Sequence, residues 1–292
     1  MLYLLRSEVG LQILIFATAG NNYLMNKKNY YTYSFPDSKC LVVCGDIHGD
    51  FNLLVYKLCV QYQMKDTTCI VAGDCGFGFE KKEYYENIVK RNNKRMNEAN
   101  NRIVFIRGNH DNPAYFDGQT FIRKRFLAIP DYSVVNVCNH AVLCVGGAIS
   151  IDRNYRKYTW EQNIKKNDRF GHHVGTDILS PNYYWEDEAP IYDKNLLTQI
   201  LSEYDIDAVI THTAPSFCEL QDKANIDAWI KQDISLITDI HDERAAMDSI
   251  HDSLKEKDIT IWCYGHFHQS WHAFIEGTLF KMLDIMELYE IR

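Results

Sequence analysis

Leu41-Val42-Val43-Cys44-Gly45-Asp46-Ile47-His48-Gly49 is a short apolar run that stops at a glycine and is followed at once by an aspartate and a histidine one residue apart. A run of this length with no alternation of polar residues reads as a strand buried on both faces. On a locally extended turn, residues one apart can point the same way, and the flanking glycines permit tight backbone geometry. The same grammar recurs along the chain. Apolar runs end in Gly73-Asp74-Cys75-Gly76, in Gly108-Asn109-His110-Asp111 and in Gly265-His266-Phe267-His268, and Thr211-His212-Thr213 closes a fifth.

Outward from these runs, strands are expected at 40–44, 69–72, 102–106, 141–145, 208–211 and 260–264. Amphipathic stretches at 51–62, 81–99, 195–204 and 226–257 alternate with them as helices, and the tail 270–292 reads as further strands. The pattern is α/β. In an open α/β sheet, ligands gather beyond the carboxyl ends of the strands, so clusters far apart in sequence should converge there. No repeat, low-complexity tract or proline-rich linker divides the chain, which favours a single domain over 36–292. Within it the stretch 151–190, rich in tyrosine, tryptophan and charge and without clear periodicity, reads as an insertion that carries substrate contacts. Residues 1–35 form an N-terminal extension. Its apolar run 9–20 admits three readings: a signal-peptide core, a helix docked on the domain, or residues upstream of a start at Met25.

The chain has 292 residues, 46% of them hydrophobic and 13% aromatic, enough for a sizeable core. With 31 lysines and arginines against 39 aspartates and glutamates, its formal charge of −8 disfavours nucleic-acid backbones and anionic membranes as partners. Nine cysteines, several within apolar runs and none in a CxxC pair, fit free thiols in a reducing compartment, so a cytoplasmic location is expected. The apolar run near the start is too short to span a bilayer as a helix.

The converging side chains are metal donors: Asp46, His48, Asp74, Asn109, His212, His266 and His268. Imidazole nitrogens mixed with carboxylate and amide oxygens, without thiolate, suit manganese, iron or zinc better than magnesium or calcium. Asp74, alone at the end of its strand, can offer one oxygen to each of two cations. Two divalent ions about 3.5–4 Å apart would activate water, clamp phosphoryl oxygens and promote in-line displacement at phosphorus. His110, free of metal duty, is placed to protonate the leaving oxygen. A structural metal site is the blander alternative, but such sites are usually closed, mononuclear and rich in cysteine.

These blocks resemble the calcineurin-like metallophosphoesterase superfamily, whose successive motifs are Gly-Asp-x-His, Gly-Asp, Gly-Asn-His-Asp/Glu, a lone His and Gly-His-x-His; here they span positions 45–268. The resemblance implies a four-layer α/β/β/α sandwich of two facing mixed sheets. It implies one metal held by Asp46, His48, Asp74 and His268 and a second by Asp74, Asn109, His212 and His266, manganese being the expected ion in vitro, with His110 as the catalytic histidine. One departure is that Gly73-Asp74-Cys75-Gly76-Phe77-Gly78 lacks the aspartate and arginine of the phosphoprotein phosphatase branch. The partner of His110 is therefore open between Asp111 and a backbone carbonyl. Gly146-Gly147-Ala148-Ile149-Ser150-Ile151-Asp152-Arg153, with Tyr184-Trp185-Glu186 later, looks like bacterial and phage members of the superfamily.

Arg153, opening the insertion, is a candidate for binding substrate phosphate. His172 and His173 read as loop residues, Lys165, Lys166 and Arg169 as a solvated face, and Tyr155, Tyr158, Trp160, Tyr183, Tyr184 and Trp185 as packing. The leading function is hydrolysis of phosphomonoesters, small molecules or phosphopeptides, by water activated between two metals. A phosphodiesterase or nuclease on the same centre is the first alternative, and a metal-binding scaffold without catalysis the second.

Overall fold

The computed structural model describes residues 15–18, 21–24, 29–169, 184–218 and 226–292, with side chains from residue 29 onward apart from 163–169. In chain order its elements are β1 (Ile15–Thr18), β2 (Asn21–Leu24), β3 (Thr32–Phe35), β4 (Cys40–Cys44), α1 (Phe51–Tyr56), β5 (Thr67–Val71), α2 (Lys82–Glu98), β6 (Arg102–Phe105), β7 (Phe126–Ala128), β8 (Ser133–Val137) and β9 (His140–Val145). There follow α3 (Arg153–Arg169), α4 (Lys194–Glu203), β10 (Ala208–Thr211), α5 (Ile226–Gln232), α6 (Leu236–Leu254), β11 (Ile261–Tyr264), β12 (Trp271–Ile275), β13 (Thr278–Met282) and β14 (Leu288–Ile291).

Two mixed sheets result, a five-stranded one in the order β14-β4-β5-β6-β7 and a seven-stranded one in the order β12-β13-β11-β10-β9-β8-β3. Strands β4 to β7 run parallel, as do β9, β10, β11 and β13, so within each sheet the carboxyl ends lie along one edge. Side chains alternate across a strand, and β4 shows the consequence. Leu41 and Val43 enter the core between the sheets, beside Val142, Cys144 and Ile210, while Val42 and Cys44 face Phe51, Leu54, Phe77 and Tyr85 on the helical side. On the far side of the larger sheet, Leu143, Val209 and Trp262 pack on Leu197 and Ile200 of α4 and on Met247 and Ile250 of α6. Three apolar layers between four structural layers make the α/β/β/α sandwich.

Several elements differ from expectation. The stretch 226–257 is two helices, because Asp233 takes the Ser235 N–H and hydroxyl onto its own carboxylate and so turns the chain between them. Beyond α1 the backbone widens, the Tyr62 N–H reaching back five residues to the Lys57 carbonyl at 2.9 Å. The large sheet begins at Thr32, ahead of the domain boundary expected at residue 36, since β3 pairs in parallel with β8. Near the start, Ile15–Thr18, the described part of the apolar run 9–20, pairs antiparallel with Asn21–Leu24 just beyond it; residues 1–14 lie outside the described ones. The insertion contains the long helix α3. Its buried positions among the described side chains are Arg153 and Arg156, whereas Tyr155 and Tyr158 are exposed. A helical stretch that buries arginines has no apolar period to read.

Candidate metal centre

The loops after β4, β5 and β6 carry Asp46 and His48, Asp74, and Asn109; those after β10 and β11 carry His212, His266 and His268. One donor atom from each of Asp46, His48, Asp74 and His268 lies within 4.8 Å of all the others. Beside this group, Asn109 Oδ1 lies 3.0 Å from both His212 Nε2 and His266 Nδ1. Asp74 faces both groups: its Oδ1 is 3.1 Å from His212 Nε2, and its Oδ2 is 4.0 Å from His48 Nδ1. All the metal donors expected from the sequence therefore meet in one place.

Close approach explains the glycines. A Cβ at Gly108 would overlap Asp74 Oδ1 and come within 2.8 Å of His212 Nε2, and one at Gly265 would overlap Asp46 Oδ1. The donors also occupy uncommon backbone: His48, Asp74, His266 and His268 have φ of 43°, 46°, 68° and 52°. Left-handed conformations at non-glycine residues persist where the surroundings enforce them, and they concentrate at functional sites.

The chemistry of the donors fits divalent cations. The His212 Nδ1–H donates to the Ala72 carbonyl at 2.7 Å, which leaves Nε2 a lone pair directed at the site. His48 Nε2 and His268 Nε2 face each other at 3.0 Å. Buried Asp46 Oδ2 has no aligned hydrogen bond, although His268 Nε2 lies 2.9 Å away. So many facing acceptors need positive charge among them, which protons or metal ions can supply. Without metal the protons divide unevenly. Burial acts to lower the His212 pKa, but Asp74 and Asp46 outweigh it and lift it to about 9; burial, reinforced by His212, holds His266 well below the usual histidine range.

His110 sits at the rim, its ring edge-on to that of His48 at 5.5 Å. Burial lowers its pKa against the pull of Asp74, and the neighbouring Arg156 guanidinium adds to the lowering. Asp111 is not its partner, which corrects the expectation. Its oxygens accept from the backbone N–H groups of Cys75, Gly76, Phe77 and Gly108 at 2.7–2.9 Å, tying the second donor loop to the third. Burial, then repulsion from Asp74, pushes its pKa up to about 6 despite those bonds.

Arg153 is likewise corrected from a phosphate ligand to an anchor. Its Nε donates to Asp233 Oδ2 at 2.7 Å and its Nη2 to Ser235 Oγ at 2.7 Å and Asp239 Oδ2 at 2.5 Å, which fastens α3 to the turn between α5 and α6. The guanidinium beside His110 belongs instead to Arg156, whose Nη1 lies 3.5 Å from His110 Nδ1 while its Nε binds Asp152 at 2.8 Å. Sequence reading missed Arg156, Ser150 and Glu188. Asn109 Nδ2 donates to Ser150 Oγ at 2.9 Å, and Ser150 binds Glu188 through its N–H at 2.6 Å and its hydroxyl at 2.5 Å. Burial pushes the Glu188 pKa up to about 8, against those two hydrogen bonds and the Arg156 charge.

Of the insertion's aromatics, Trp185 is buried against the Gly78 loop and Tyr184 covers the Lys157 ammonium at 4.4 Å, while Trp160 is only partly buried. His172, His173 and Tyr183 lie outside the described residues, as do the side chains of Lys165, Lys166 and Arg169.

Residues 41–270 match the sequence model of the calcineurin-like phosphoesterases. The chain belongs to the calcineurin-like phosphoesterase family. Residues 41–270 are accordingly a metallophosphoesterase domain, and Asp46, His48, Asp74 and His268 form a cluster that could hold a metal ion. Among solved structures, this calcineurin-like phosphoesterase is similar to a putative 5′-nucleotidase from Staphylococcus aureus in complex with alpha-ketoglutarate (14% identity over 86% of this chain and 50% of that one, TM-score 0.38). It thus spans half the length of that chain. It is also similar to a phosphopantetheinyl hydrolase from Mycobacterium tuberculosis (13%, 84% and 89%, TM-score 0.38) and to a cold-active protein-tyrosine phosphatase of a Shewanella species (13%, 62% and 66%, TM-score 0.28). No curated protein matches the chain. No helix among the described residues is long and apolar enough to cross a membrane.

Proposed function

We propose that this protein is a dinuclear hydrolase of phosphate monoesters. The observation that carries the reading is the division of Asp74, one oxygen toward His212 and the other toward His48, so that a single carboxylate serves two adjoining donor groups. One cation would be held by Asp46, His48, Asp74 and His268 and the other by Asp74, Asn109, His212 and His266, with manganese preferred among manganese, iron and zinc for this nitrogen and oxygen set. Such a pair would supply Lewis acidity toward phosphoryl oxygens and toward water.

The chain's own residues do the rest. Buried carboxylates and imidazoles would hold the ions, and His110 gives its proton to the leaving oxygen. Burial and Arg156 keep His110 neutral in the resting protein, and the negative charge of an arriving phosphoryl group favours its protonation. Arg156, fixed by Asp152, adds the positive charge beside His110 that a dianionic monoester requires and a monoanionic diester needs less. Phosphorylated small molecules and phosphopeptides both present that group. Nine unpaired cysteines, all among the described residues, fit action in the cytoplasm.

The test is metal-dependent hydrolysis of p-nitrophenyl phosphate beside bis-p-nitrophenyl phosphate and an alkyl phosphate, in wild type, Asp74→Asn and His110→Ala. Loss of activity in Asp74→Asn is expected, with His110→Ala costing about 10²–10⁴-fold on the alkyl ester and far less on the aryl one, whose leaving group needs no proton. Preference for the diester would move the protein to the phosphodiesterases. Equal losses on both leaving groups would remove His110 as proton donor.

A further inference from the structure

Asn109 is unlike the other donors in being a neutral amide, which works as a ligand only if its oxygen, and not its NH2, faces the cation. The two ends of an amide have nearly the same shape, so something beyond packing must choose between them. On its far side, Asn109 meets Ser150 Oγ at 2.9 Å. The Arg156 Nη2 group also reaches that oxygen, and Glu188 Oε2 lies 2.5 Å from it.

Counting protons decides the orientation. A serine hydroxyl has one hydrogen and two lone pairs. The guanidinium can only donate, so it fills one lone pair; Glu188 in its ionised form can only accept, so it takes the single hydrogen. What remains is a second lone pair, which only a donor can satisfy, and Asn109 must therefore present its NH2 to Ser150 and its oxygen to His212 and His266. Glu188 is itself held, its other oxygen receiving the Ser150 N–H at 2.6 Å and its backbone carbonyl receiving the Arg107 guanidinium at 2.7 Å.

We infer that Ser150 and Glu188 are positioning residues that set the orientation of the Asn109 amide toward a cation. The inference rests on the proposed role of Asn109 as a metal donor. Its sharpest form concerns Glu188→Gln: the Ser150 N–H keeps the glutamine oxygen, so the glutamine NH2 faces Ser150 Oγ as a second donor. The serine hydrogen is then turned toward Asn109, and the amide is driven to point its NH2 at the cation.

The experiment is calorimetric titration of the metal-free full chain with manganese at pH 8.5, above the value of about 8 to which burial pushes Glu188, in wild type, Asn109→Ala, Ser150→Ala, Glu188→Gln and the Asn109→Ala/Ser150→Ala double variant. Thermal melts establish folding, and if Ser150→Ala does not fold, Glu188→Gln carries the test. Expected are 10–100-fold losses of affinity in Asn109→Ala, Ser150→Ala and Glu188→Gln, with no further loss when Ser150→Ala is added to Asn109→Ala. If Asn109→Ala weakens binding while Ser150→Ala and Glu188→Gln do not, the positioning role is overturned and the metal reading survives. Additive losses in the double variant would also overturn it, since Ser150 would then act through another group. Unchanged affinity in Asn109→Ala would bring down the second cation site, and this inference with it.

Discussion

Replacing Arg153 with alanine should cost stability and leave substrate binding alone. Its guanidinium makes three hydrogen bonds, two of them to carboxylates, and is 9% exposed, while Asp233 and Asp239 are 13% and 36% exposed. Hydrogen bonds involving charged groups contribute roughly 1.5–3 kcal/mol each, and partly exposed partners recover part of that from water. A net loss of about 3 kcal/mol is the consistent estimate, below the sum of the three bonds. For a chain of this size, 1 kcal/mol moves Tm by about 2–4 °C, so a fall of about 6–12 °C is expected. The assay pairs a thermal melt with steady-state hydrolysis of p-nitrophenyl phosphate, where KM should stay within about twofold; Arg153→Lys, which keeps the charge but not the fork, should fall between. A KM raised about tenfold with Tm unchanged would refute the reasoning and return Arg153 to the substrate.

Other perturbations read different layers of the structure. Gly108→Ala forces a methyl into Asp74 and the His212 ring, so manganese affinity measured by titration should drop at least about tenfold and stability by about 1–3 kcal/mol. Asp111→Asn replaces one acceptor oxygen by an NH2 whose hydrogens face backbone N–H groups that now donate to the carboxylate, and urea unfolding should show a loss of about 3–5 kcal/mol. Leu41→Ala, between the sheets, should cost about 2–5 kcal/mol by the same assay, against almost nothing for the part-exposed Leu53→Ala. Hydrogen bonds from Arg102 hold the Asp37 carboxyl at about 2, below its ordinary 3.8, so the folded state binds fewer protons there than the unfolded one. The stability this pair contributes is fully present above pH 3.8 and is lost as pH falls toward 2; the difference in urea midpoint between wild type and Asp37→Asn should shrink over that window and nowhere above it.

What could be read from the sequence was set by how the relevant side chains pack. The donor clusters are legible because a strand buried on both faces needs an unbroken apolar run, and the crowding of Asp74 and Asp46 against Gly108 and Gly265 leaves glycine beside the donor. The sandwich itself came through resemblance, since nothing in the periodicity of β4 states that a second sheet covers Leu41 and Val43. Helix α3 was illegible because the residues it buries, among the described side chains, are arginines. Asp111 was misjudged because a carboxylate next to a reactive histidine looks like its partner, and only coordinates reveal that its oxygens are consumed by four amides. Arg153 and Arg156 are three positions apart on one helix, and sequence offers no sign of which one turns toward His110. Ser150 and Glu188 meet across 38 residues with no spacing to announce it.

Each sheet is finished by a strand from the opposite region of the chain. β3 precedes the small sheet yet forms the edge of the large one, and β14 follows the large sheet yet returns to flank β4 in the small one. The two sheets are thereby laced like a boot, with neither able to come away without pulling a strand from the other's path. Losing β14 would bare the edge of β4, the strand whose following loop carries Asp46, and leave an open ladder that invites pairing with another chain. Proteolytic clipping at the short link between β13 and β14 should therefore silence the metal centre and provoke aggregation together, although the cut lies outside every donor loop.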